Sequence, residues 1–502
     1  TNNTIEAVVE DGGTTSDYAY AVYIEDQNLS DSIATAPVFR NNTIDGDTGN
    51  DADRTYAIAI LTDISQATIE DNVINGGQAI SLAYAIYARD TTGGSATSGS
   101  VRIAGNTITG GASGNATAAV WIDNEILDVE IETNQITQGE QTNTSNYSRA
   151  VWLTRYSSAV ITDNTFTGVQ NPGRVGQVWI ADSNGDSTTT DISGNTFRVG
   201  GSGLVTSRGL YLVDHHGTSV SITGNTFEPR NGTDTASGFN LVEMRTVTSA
   251  VTFDSNLLEG HTNGKSTGLV IVDVDNSPVV SNNVFYRRDG GAHNFRGIYV
   301  SIGPSSVATV TSPIIDNNTI VYQNSASTDF DGIRLTGSSD KPVEPIIRNN
   351  LIVNISGSAV GDGVHQTENG TATQADSAPD RFQNNAFYDV GTLWRIDGGT
   401  STTTYTTIAE INDEANTTLG TTGDGTADGN VDVDTDADSI NFNDPNDANS
   451  DASDDFELTA TSPLSIREGG LDLSSDADNA VTDDYAGATR TAPFSIGAFE
   501  QD

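Results

Sequence analysis

A motif that recurs at a nearly fixed interval constrains the fold of this chain more than any other feature. It consists of a branched apolar residue, two or three polar residues, Asn, one further residue and then Ile or Phe, and its clearest copy is residues 220–227. After the first interval, successive Asn residues are 27 to 35 positions apart. A period of this length is typical of stacked structural repeats. The recurrent residues are Asn3, Asn42, Asn72, Asn106, Asn134, Asn164, Asn195, Asn225, Asn256, Asn283, Asn318, Asn350 and Asn385.

Each repeat also contains a second apolar stretch, for example residues 149–153, 208–212 and 296–300. Apolar and polar residues alternate in these stretches and in the Asn motif, which indicates β-strands. No amphipathic helical pattern separates the strands, so we expect strands of successive repeats to pair in parallel. The sequence therefore predicts an all-β fold, a parallel β-helix of about 12–14 coils.

The recurrent Asn residues are expected to form a ladder inside the coils, with each side-chain amide bonding to its neighbours. Gly224 and Asn225 would form a tight corner, because both residues tolerate the left-handed backbone conformation. Leu210, Leu212, Ile222, Phe227 and their equivalents in other repeats would line the core.

The repeat pattern resembles the right-handed β-helix superfamily of pectate lyases, polygalacturonases, tailspikes and adhesins over residues 1–395. The resemblance implies a right-handed solenoid. It says little about activity, because one fold hosts many functions.

Residues 396–502 lose the period and become rich in Asp, Asn and Gly. They contain residues 462–464, 482–490 and 496–500, which resemble the closing segment of secreted "choice-of-anchor" β-helix surface proteins. In this chain Leu464, Arg467 and Phe499 depart from that pattern. The resemblance implies a secreted or cell-surface protein whose C-terminal segment closes the solenoid.

The charge of the chain is strongly one-sided, with a formal net charge of -46 and two lysines, Lys265 and Lys341. Such a surface repels itself in dilute buffer, whereas at molar salt the Debye length falls to about 3 Å. We therefore expect a halophilic source, and neither nucleic acid nor anionic membranes as partners. There is no cysteine and no apolar run long enough to span a bilayer.

An outward-facing column of aromatic residues is predicted along the first strand of successive coils. It would be a platform for sugar rings, a protein contact, or cross-strand stacking that stiffens the sheet. The candidate contact residues are Tyr23, Tyr87, Trp121, Trp152, Trp179, Tyr211 and Tyr299.

A column of acidic residues is predicted three positions further along, and Asp182, Asp214, Glu243 and Asp273 are its candidates for catalysis. Paired carboxylates supply the acid and base of glycosidases, bind Ca²⁺, or simply form an acidic solvated turn. A separate calcium candidate is the alternating run of Asp432, Asp434, Asp436 and Asp438, which lacks the Gly and Glu of a complete calcium loop.

Possible N-glycosylation sites begin the Asn-X-Ser/Thr triplets of the chain. They are Asn2, Asn28, Asn41, Asn115, Asn143, Asn146, Asn231, Asn317, Asn354, Asn369 and Asn416.

The function expected from these features is that of an extracellular structural or adhesive surface protein, which self-associates head-to-tail or laterally into a filament. The alternative is a protein that binds or degrades an extracellular polysaccharide, as a glycoside hydrolase or lyase. The histidines, Lys265 and the arginines form no recognised lyase motif, so the sequence leans against an enzyme and leaves the matter open.

Overall fold

The computed structural model describes most of the repeats and most of the C-terminal segment. The described residues are 3–6, 18–25, 36–47, 49, 52–61, 66–89, 99–123, 126–141, 147–169, 174–181, 188–201, 206–230, 238–288, 293–303, 311–323, 330–338, 341, 343–355, 360–369, 378–398, 401–412, 426–433, 440, 442–444 and 455–500.

The chain divides into two compact units. Unit 1 contains Thr1–Val220 and Pro229–Asn240, and unit 2 contains Ser221–Glu228 and Leu241–Asp502. In both, each coil contributes a long strand, a short strand before the recurrent Asn and a short strand after it. We name the resulting sheets the long-strand, pre-asparagine and post-asparagine sheets. Three strands, Ser219–Thr223, Thr226–Pro229 and Gly238–Arg245, contain residues of both units.

The strands of unit 1 pair in parallel within each sheet. The long strands are Tyr18–Glu25, Arg54–Leu61, Leu82–Arg89, Ala116–Asp123, Tyr147–Thr154, Arg174–Ala181 and Thr206–Val213. The pre-asparagine strands are Val38–Arg40, Ala67–Glu70, Ser100–Ala104, Ile126–Glu132, Tyr156–Thr162 and Thr189–Ser193. The post-asparagine strands are Thr4–Glu6, Thr43–Asp45, Val73–Asn75, Thr107–Thr109, Gln135–Thr137, Thr165–Thr167 and Thr196–Val199, and a further small sheet pairs Gln78–Ala79 with Ala112–Ser113.

Unit 2 repeats this arrangement. Its long strands are Lys265–Val272, Phe295–Ser301, Phe330–Ser338, Val360–Asn369 and Val390–Gly398, the last of which pairs antiparallel with Ser401–Tyr405. The pre-asparagine strands are Ala250–Asp254, Val279–Ser281, Ile314–Asp316, Ile346–Arg348, Arg381–Gln383 and Thr426–Asp428. The post-asparagine strands are Leu257–Glu259, Val284–Arg287, Thr319–Tyr322, Leu351–Asn354, Ala386–Tyr388 and Val431–Asp432.

The C-terminal segment adds two short helices, Ile408–Asn412 and Leu464–Arg467, and an antiparallel pair of strands, Phe442–Asp444 and Asp455–Leu458. Within the described residues, the helices fall short of the length and apolar character that a membrane crossing requires. The all-β parallel solenoid that the sequence predicts is therefore confirmed.

The recurrent Asn residues form the predicted ladder. In a typical rung, the backbone N–H and the Nδ2 of Asn106 both donate to Oδ1 of Asn134, at 2.9 and 3.0 Å. The same Nδ2 also donates to the carbonyl oxygens of Ile69 and Ala104. The ladder is continuous within unit 1 from Asn3 to Asn195, and within unit 2 from Asn225 to Asn430.

In the described residues, the position before a ladder Asn forms a corner in the left-handed conformation. Its φ is 62° at Gly224 and 53° at Asn349, and the other corners have similar values. Gly, Asn, Asp, Ser and Thr occupy these positions, because few other residues adopt a positive φ without strain. The predicted corner at Gly224 is confirmed.

The core lies between the three sheets of each unit. Leu210, Leu212, Ile222 and Phe227 are fully buried, as the alternating pattern predicts. Each core position stacks on its equivalent in the next coil, and the rings of Phe166 and Phe197 lie 4.9 Å apart.

The C-terminal segment packs against the outer face of the post-asparagine sheet of unit 2. Ile466, Ile496 and Ala498 of the segment form one buried apolar cluster with Val321 and Leu351 of the sheet. Both faces of these strands are consequently buried, whereas in unit 1 the strand Thr107–Thr109 has one buried and two exposed residues.

Candidate functional site

The aromatic residues predicted to line up in unit 1 lie side by side on the long-strand sheet. Trp121 pairs with Trp152, Trp152 with Trp179, and Trp179 with Tyr211 in the strand register. Tyr87 precedes Trp121, and Tyr23 lies two coils before Tyr87, with Ala59 in the coil between them. We call Tyr87, Trp121, Trp152, Trp179 and Tyr211 the aromatic column.

In the aromatic column, neighbouring rings lie against one another instead of presenting open faces to solvent. The rings of Trp121 and Trp152 are 4.4 Å apart and inclined by 6°, and Trp179 meets Tyr211 edge-on at 4.5 Å. Because neighbouring rings cover each other's faces, the geometry favours cross-strand stacking over a platform for sugar rings. A glycan or protein contact at these residues, including Tyr23 and Tyr299, stays a prediction.

A second aromatic column, which the sequence analysis missed, lies three positions before the first. Tyr20, Tyr56 and Tyr84 are in register, and the rings of Tyr20 and Tyr56 stack at 5.0 Å. The same position holds Arg149, which pairs with Ala118. The signal was present in the sequence as a Tyr three residues before the aromatic position in three of the first coils.

Three of the four carboxylates predicted to be catalytic lie in the described part of the chain. Asp214 is an exposed residue of unit 1 with a φ of 52°. In unit 2, Glu243 is buried beside Arg245, 3.1 Å away, and Asp273 accepts a hydrogen bond from the backbone N–H of Gly303 at 2.6 Å. The fourth, Asp182, lies outside the described residues, and a catalytic role for any of them stays a prediction.

The calcium and glycosylation predictions fall largely outside the described part of the chain. Asp432 lies in a post-asparagine strand and pairs with Phe387, whereas Asp434, Asp436 and Asp438 are outside it. Of the predicted glycosylation sites, Asn317 and Asn354 are buried. Asn41 and Asn115 are described with more exposed side chains, and Asn369 is described in its backbone alone. Asn2, Asn28, Asn143, Asn146, Asn231 and Asn416 are not described.

A group of charged residues that the sequence analysis did not select converges in a cleft of unit 2. The cleft has a volume of about 480 Å³ and opens on the outer face of the long-strand sheet. Successive strands bring Asp331, Asp362 and Thr392 into one register column. We call this cleft, with the charged residues Arg296, Asp331, Arg334, Asp362, His365, Arg395 and Asp397, the carboxylate cleft.

A glycine in each strand explains why residues three positions apart both face the cleft. Asp331 and Arg334 line it, while Ile333 between them is fully buried. The register omits Gly332, where an added Cβ would lie 2.6 Å from the carbonyl oxygen of Gly363. Only glycine permits this close approach of neighbouring backbones.

His365 lies between two carboxylates. Its Nδ1 is 2.9 Å from Oδ1 of Asp331, and its Nε2 is 2.9 Å from Oδ2 of Asp397. Burial works against a charged imidazole, but the hydrogen bonds to these two carboxylates raise the pKa of His365 above its ordinary value. The imidazolium form, with both nitrogens protonated, satisfies both contacts.

Asp331 is held in its ionised form by three cationic groups. Its Oδ2 accepts hydrogen bonds from Nε of Arg296 at 3.0 Å and from Nη1 of Arg334 at 3.2 Å. Burial opposes ionisation, but the contact with His365 and the two arginines together lower the pKa of Asp331. Asp397 is similar: despite some burial, hydrogen bonds from Thr402, Arg395 and His365 lower its pKa to about 2.

Asp362 behaves in the opposite way. Burial raises its pKa, the charge of His365 opposes the shift, and the neighbouring carboxylate of Asp331 adds to it. Ligand-type atoms of Asp331, Asp362 and His365 all lie within 4.8 Å of one another. Two carboxyl groups with shifts of opposite sign therefore share one cleft, which is how a site separates an acid from a base.

The same three residues could in principle hold a metal ion. Four cationic groups, Arg296, Arg334, Arg395 and His365, lie close to the carboxylates, and both nitrogens of His365 already face aspartates. A divalent cation would have to displace these contacts, so the donor set fits a metal poorly.

The signal for this cleft was visible in the sequence. Arg296-Gly297, Asp331-Gly332 and Asp362-Gly363 repeat a charged residue before glycine in three successive coils. Tyr299, three positions after Arg296, was assigned to the outward column, but the charged residues before the glycines were not.

No protein-family model matches this chain, and no curated protein is similar to it at a significant level. The likeness to pectate-lyase-type β-helices and to choice-of-anchor surface proteins therefore stays a resemblance.

Proposed function

We propose that this chain is an extracellular enzyme that hydrolyses an anionic polysaccharide in the carboxylate cleft. One observation carries the proposal. Asp362, a buried carboxyl group with a raised pKa, lies beside the ionised Asp331 in an open cleft.

Glycoside hydrolysis needs such a pair. One carboxyl group must be protonated to donate to the glycosidic oxygen, and a second must be ionised to attack the anomeric carbon or to activate water. Asp362 fits the first role because burial and Asp331 favour its neutral form. Asp331 fits the second because His365 and two arginines keep it ionised.

The proposed step balances within the cleft. The Asp362 carboxyl group donates its proton to the glycosidic oxygen as the bond from that oxygen to the anomeric carbon breaks, and the Asp331 carboxylate attacks the anomeric carbon to form a glycosyl ester. The short separation of the two carboxyl groups, within 4.8 Å, favours this route over direct attack by water. Water then attacks the anomeric carbon, gives its proton to the Asp362 carboxylate and releases Asp331, so the enzyme ends in its starting state.

An anionic substrate is supported by the charges of the cleft. It contains four cationic groups, three arginines and His365, against three carboxylates, Asp331, Asp362 and Asp397. The sum is +1 with every group ionised and +2 with Asp362 protonated, in a chain whose net charge is -46. Arg395, with a 40% exposed side chain, is placed to meet a carboxylate or sulfate of the substrate.

The competing explanation is an ion network that joins neighbouring strands without catalysis, since structural ion pairs also shift pKa values. The catalytic role and the purely structural role are distinguished by the variants Asp362→Asn and Asp331→Asn. The matched control is Asp380→Asn, because burial also raises the pKa of Asp380 but Asp380 is not among the cleft residues.

The test is release of reducing ends from polygalacturonate, alginate and a sulfated galactan at molar salt. Each cleft variant should lose at least about a hundredfold in rate, while the control keeps its activity. Absence of products from all three substrates with folded protein would contradict the proposal. An ultraviolet-absorbing unsaturated product would show elimination, and therefore a lyase, instead of hydrolysis.

The second candidate is the structural or adhesive surface protein. It is supported in unit 1 by the stacked aromatic column and the asparagine ladder, both of which run from coil to coil. Negative-stain electron microscopy of the native protein at high salt is the test. Filaments would favour this role, and separate particles that retain hydrolytic activity would exclude it.

A further inference from the structure

Arg149 is exceptional among the buried arginines in the described part of the chain. Arg348 pairs with Asp316 at 2.7 Å and Arg490 with Glu500 at 3.2 Å. Arg287 donates to the carbonyl oxygen of Asn294 at 2.9 Å. Arg149 is 5% exposed, but within the described residues its guanidinium has neither a carboxylate nor a carbonyl partner.

Three aromatic rings lie against this guanidinium. Its central carbon is 3.9 Å from the ring centre of Trp152 and 4.3 Å from that of Trp179, with Tyr147 at 4.8 Å. Such stacking stabilises the cation but uses none of its five N–H donors, all of which lie in the guanidinium plane. Burial lowers the pKa of Arg149 to about 10, so the group stays charged at neutral pH.

Three buried N–H donors of this group have no hydrogen-bond partner among the residues described. They are Nε of Arg149, Nε1 of Trp121 and Nε1 of Trp152. Buried donors without partners are rare in folded proteins, and a bound ligand is one recognised explanation. Asp123, at the end of the neighbouring strand Ala116–Asp123, accepts a hydrogen bond from Thr154 at 2.7 Å and lies 3.8 Å from Arg89.

The chemistry of the ligand follows from two properties of this group: its ring faces are covered, and its N–H donors have no partner. A neutral sugar ring needs an exposed aromatic face, and here the faces of Trp121, Trp152 and Trp179 are covered by one another or by Arg149. The edges of aromatic rings are electropositive, and a guanidinium edge binds planar oxyanions bidentately.

We propose that Arg149, Trp121 and Trp152 form a slot on unit 1 that binds a carboxylate or sulfate group of an anionic polysaccharide. The slot is separate from the residues of the carboxylate cleft. Binding there needs no hydrolysis, so a chain without enzymatic activity would still show it.

The test is tryptophan fluorescence at molar KCl, where the repulsion between a chain of net charge -46 and a polyanion is screened. Three of the four tryptophans belong to the aromatic column, so binding should change the emission. Polygalacturonate and dextran sulfate are the carboxylate and sulfate probes, and neutral dextran is the control ligand. A response to either polyanion and none to neutral dextran is expected.

Two variants and a matched control complete the test. Arg149→Met should weaken binding by about ten- to a hundredfold, as expected for loss of charge-assisted hydrogen bonds. Arg149→Lys keeps the charge but loses the planar donor edge, and should also bind weakly. Arg155→Met removes a charge from an exposed corner of the same unit and should bind within about twofold of the unmodified chain.

Several results would overturn the proposal. They are an equal response to neutral dextran, no response to either polyanion, and unchanged affinity in a folded Arg149→Lys. If Arg149→Met fails to fold, Arg149→Lys decides the matter. If light scattering instead shows self-association that depends on Arg149, the ligand is a carboxylate of a second copy and the polysaccharide assignment is wrong.

Discussion

Nη2 of Arg490 donates a hydrogen bond to Oδ1 of Asn282, 3.1 Å away, although the two residues are 208 positions apart. The contact ties the C-terminal segment to a corner of the solenoid in unit 2. Other corners make similar contacts: Asn349 exchanges hydrogen bonds with the backbone of Leu471 at 2.9 and 2.8 Å, and Asn384 donates to the carbonyl oxygen of Gly469. Corner asparagines therefore dock the segment as well as turn the chain.

Arg348 pairs with Asp316 of the neighbouring strand and with Asp476 of the C-terminal segment, and this buried pairing should be much more important for stability than an exposed ion pair. Arg348 and Asp316 are 1% and 0% exposed, so Arg348→Met leaves an unpaired buried carboxylate and should cost about 3–5 kcal/mol. Arg381→Met breaks the 42% and 37% exposed pair with Asp478 and should cost about 0–1 kcal/mol. Urea unfolding at constant salt measures both, and equal midpoints would contradict the docking described here.

The asparagine ladder makes a second stability prediction. Asn106→Leu leaves the backbone N–H of Asn72 without its acceptor and removes one hydrogen bond from each of the carbonyl oxygens of Ile69 and Ala104. Each buried group left unpaired should cost about 1–3 kcal/mol. Thr107→Leu, at an exposed position of the following strand, is the control and should change the urea midpoint little. A small effect of Asn106→Leu would show that water replaces the amide.

The carboxylate cleft predicts a pH dependence with a definite sign. His365 has a raised pKa in the folded chain, so its contribution to stability is complete below the unfolded value of about 6.5. That contribution is lost as the pH rises through the folded pKa. The carboxylates Asp331 and Asp397 have lowered pKa values, so their contribution is lost as the pH falls through those values.

The melting temperature is measured at about ten pH values between about 5 and 10, at constant molar salt. Replacing His365 by Gln should lower the melting temperature at acid pH, and the difference should shrink as the pH rises. His216→Gln, at an exposed position of unit 1, is the control. A difference that grows with pH would mean that the neutral imidazole is the stabilised form.

Salt should stabilise the whole chain. With a net charge of -46, self-repulsion is strong in dilute buffer and is screened at molar salt. The melting temperature should rise between about 0.1 M and 2 M KCl, and it should rise similarly with NaCl if screening is the cause. A constant melting temperature would exclude a halophilic surface.

The repeat geometry could be predicted from the sequence because it depends on local chemistry. The repeats share a sequence pattern of a corner residue, a ladder Asn and alternating apolar residues, as at Gly224, Asn225 and Phe227. Asn430 was missed because it comes 45 positions after Asn385, outside the established spacing.

The sequence also indicates which side of the solenoid is covered by the C-terminal segment. In unit 2 the strand Leu351–Asn354 begins with three apolar residues, where unit 1 has Thr107–Thr109 with a single apolar residue. A continuous apolar run indicates burial on both faces. The pairs Asn282-Asn283 and Asn349-Asn350 mark the same contact, since the first Asn of each pair bonds the segment.

The carboxylate cleft was harder to predict because its residues come from four strands and each position is unremarkable alone. Asp331 and Asp362 are two of 68 acidic residues. Their opposite pKa shifts arise from burial and from which cations lie nearest, and neither property can be read from spacing. Likewise, the aromatic column was visible in the sequence, but the contact of Arg149 with two of its rings was not.

The described rungs of the asparagine ladder share one donor direction, since the Nδ2 of each Asn donates to Oδ1 of the Asn in the following coil. The rungs are therefore interchangeable, and the ladder does not specify which coil follows which. Excising one whole period, residues 135–164, would join Asn134 to Thr165 and restore an ordinary rung. A chain of this kind can lengthen or shorten by duplicating or deleting coils, while sites such as the carboxylate cleft remain tied to the few coils that carry their side chains.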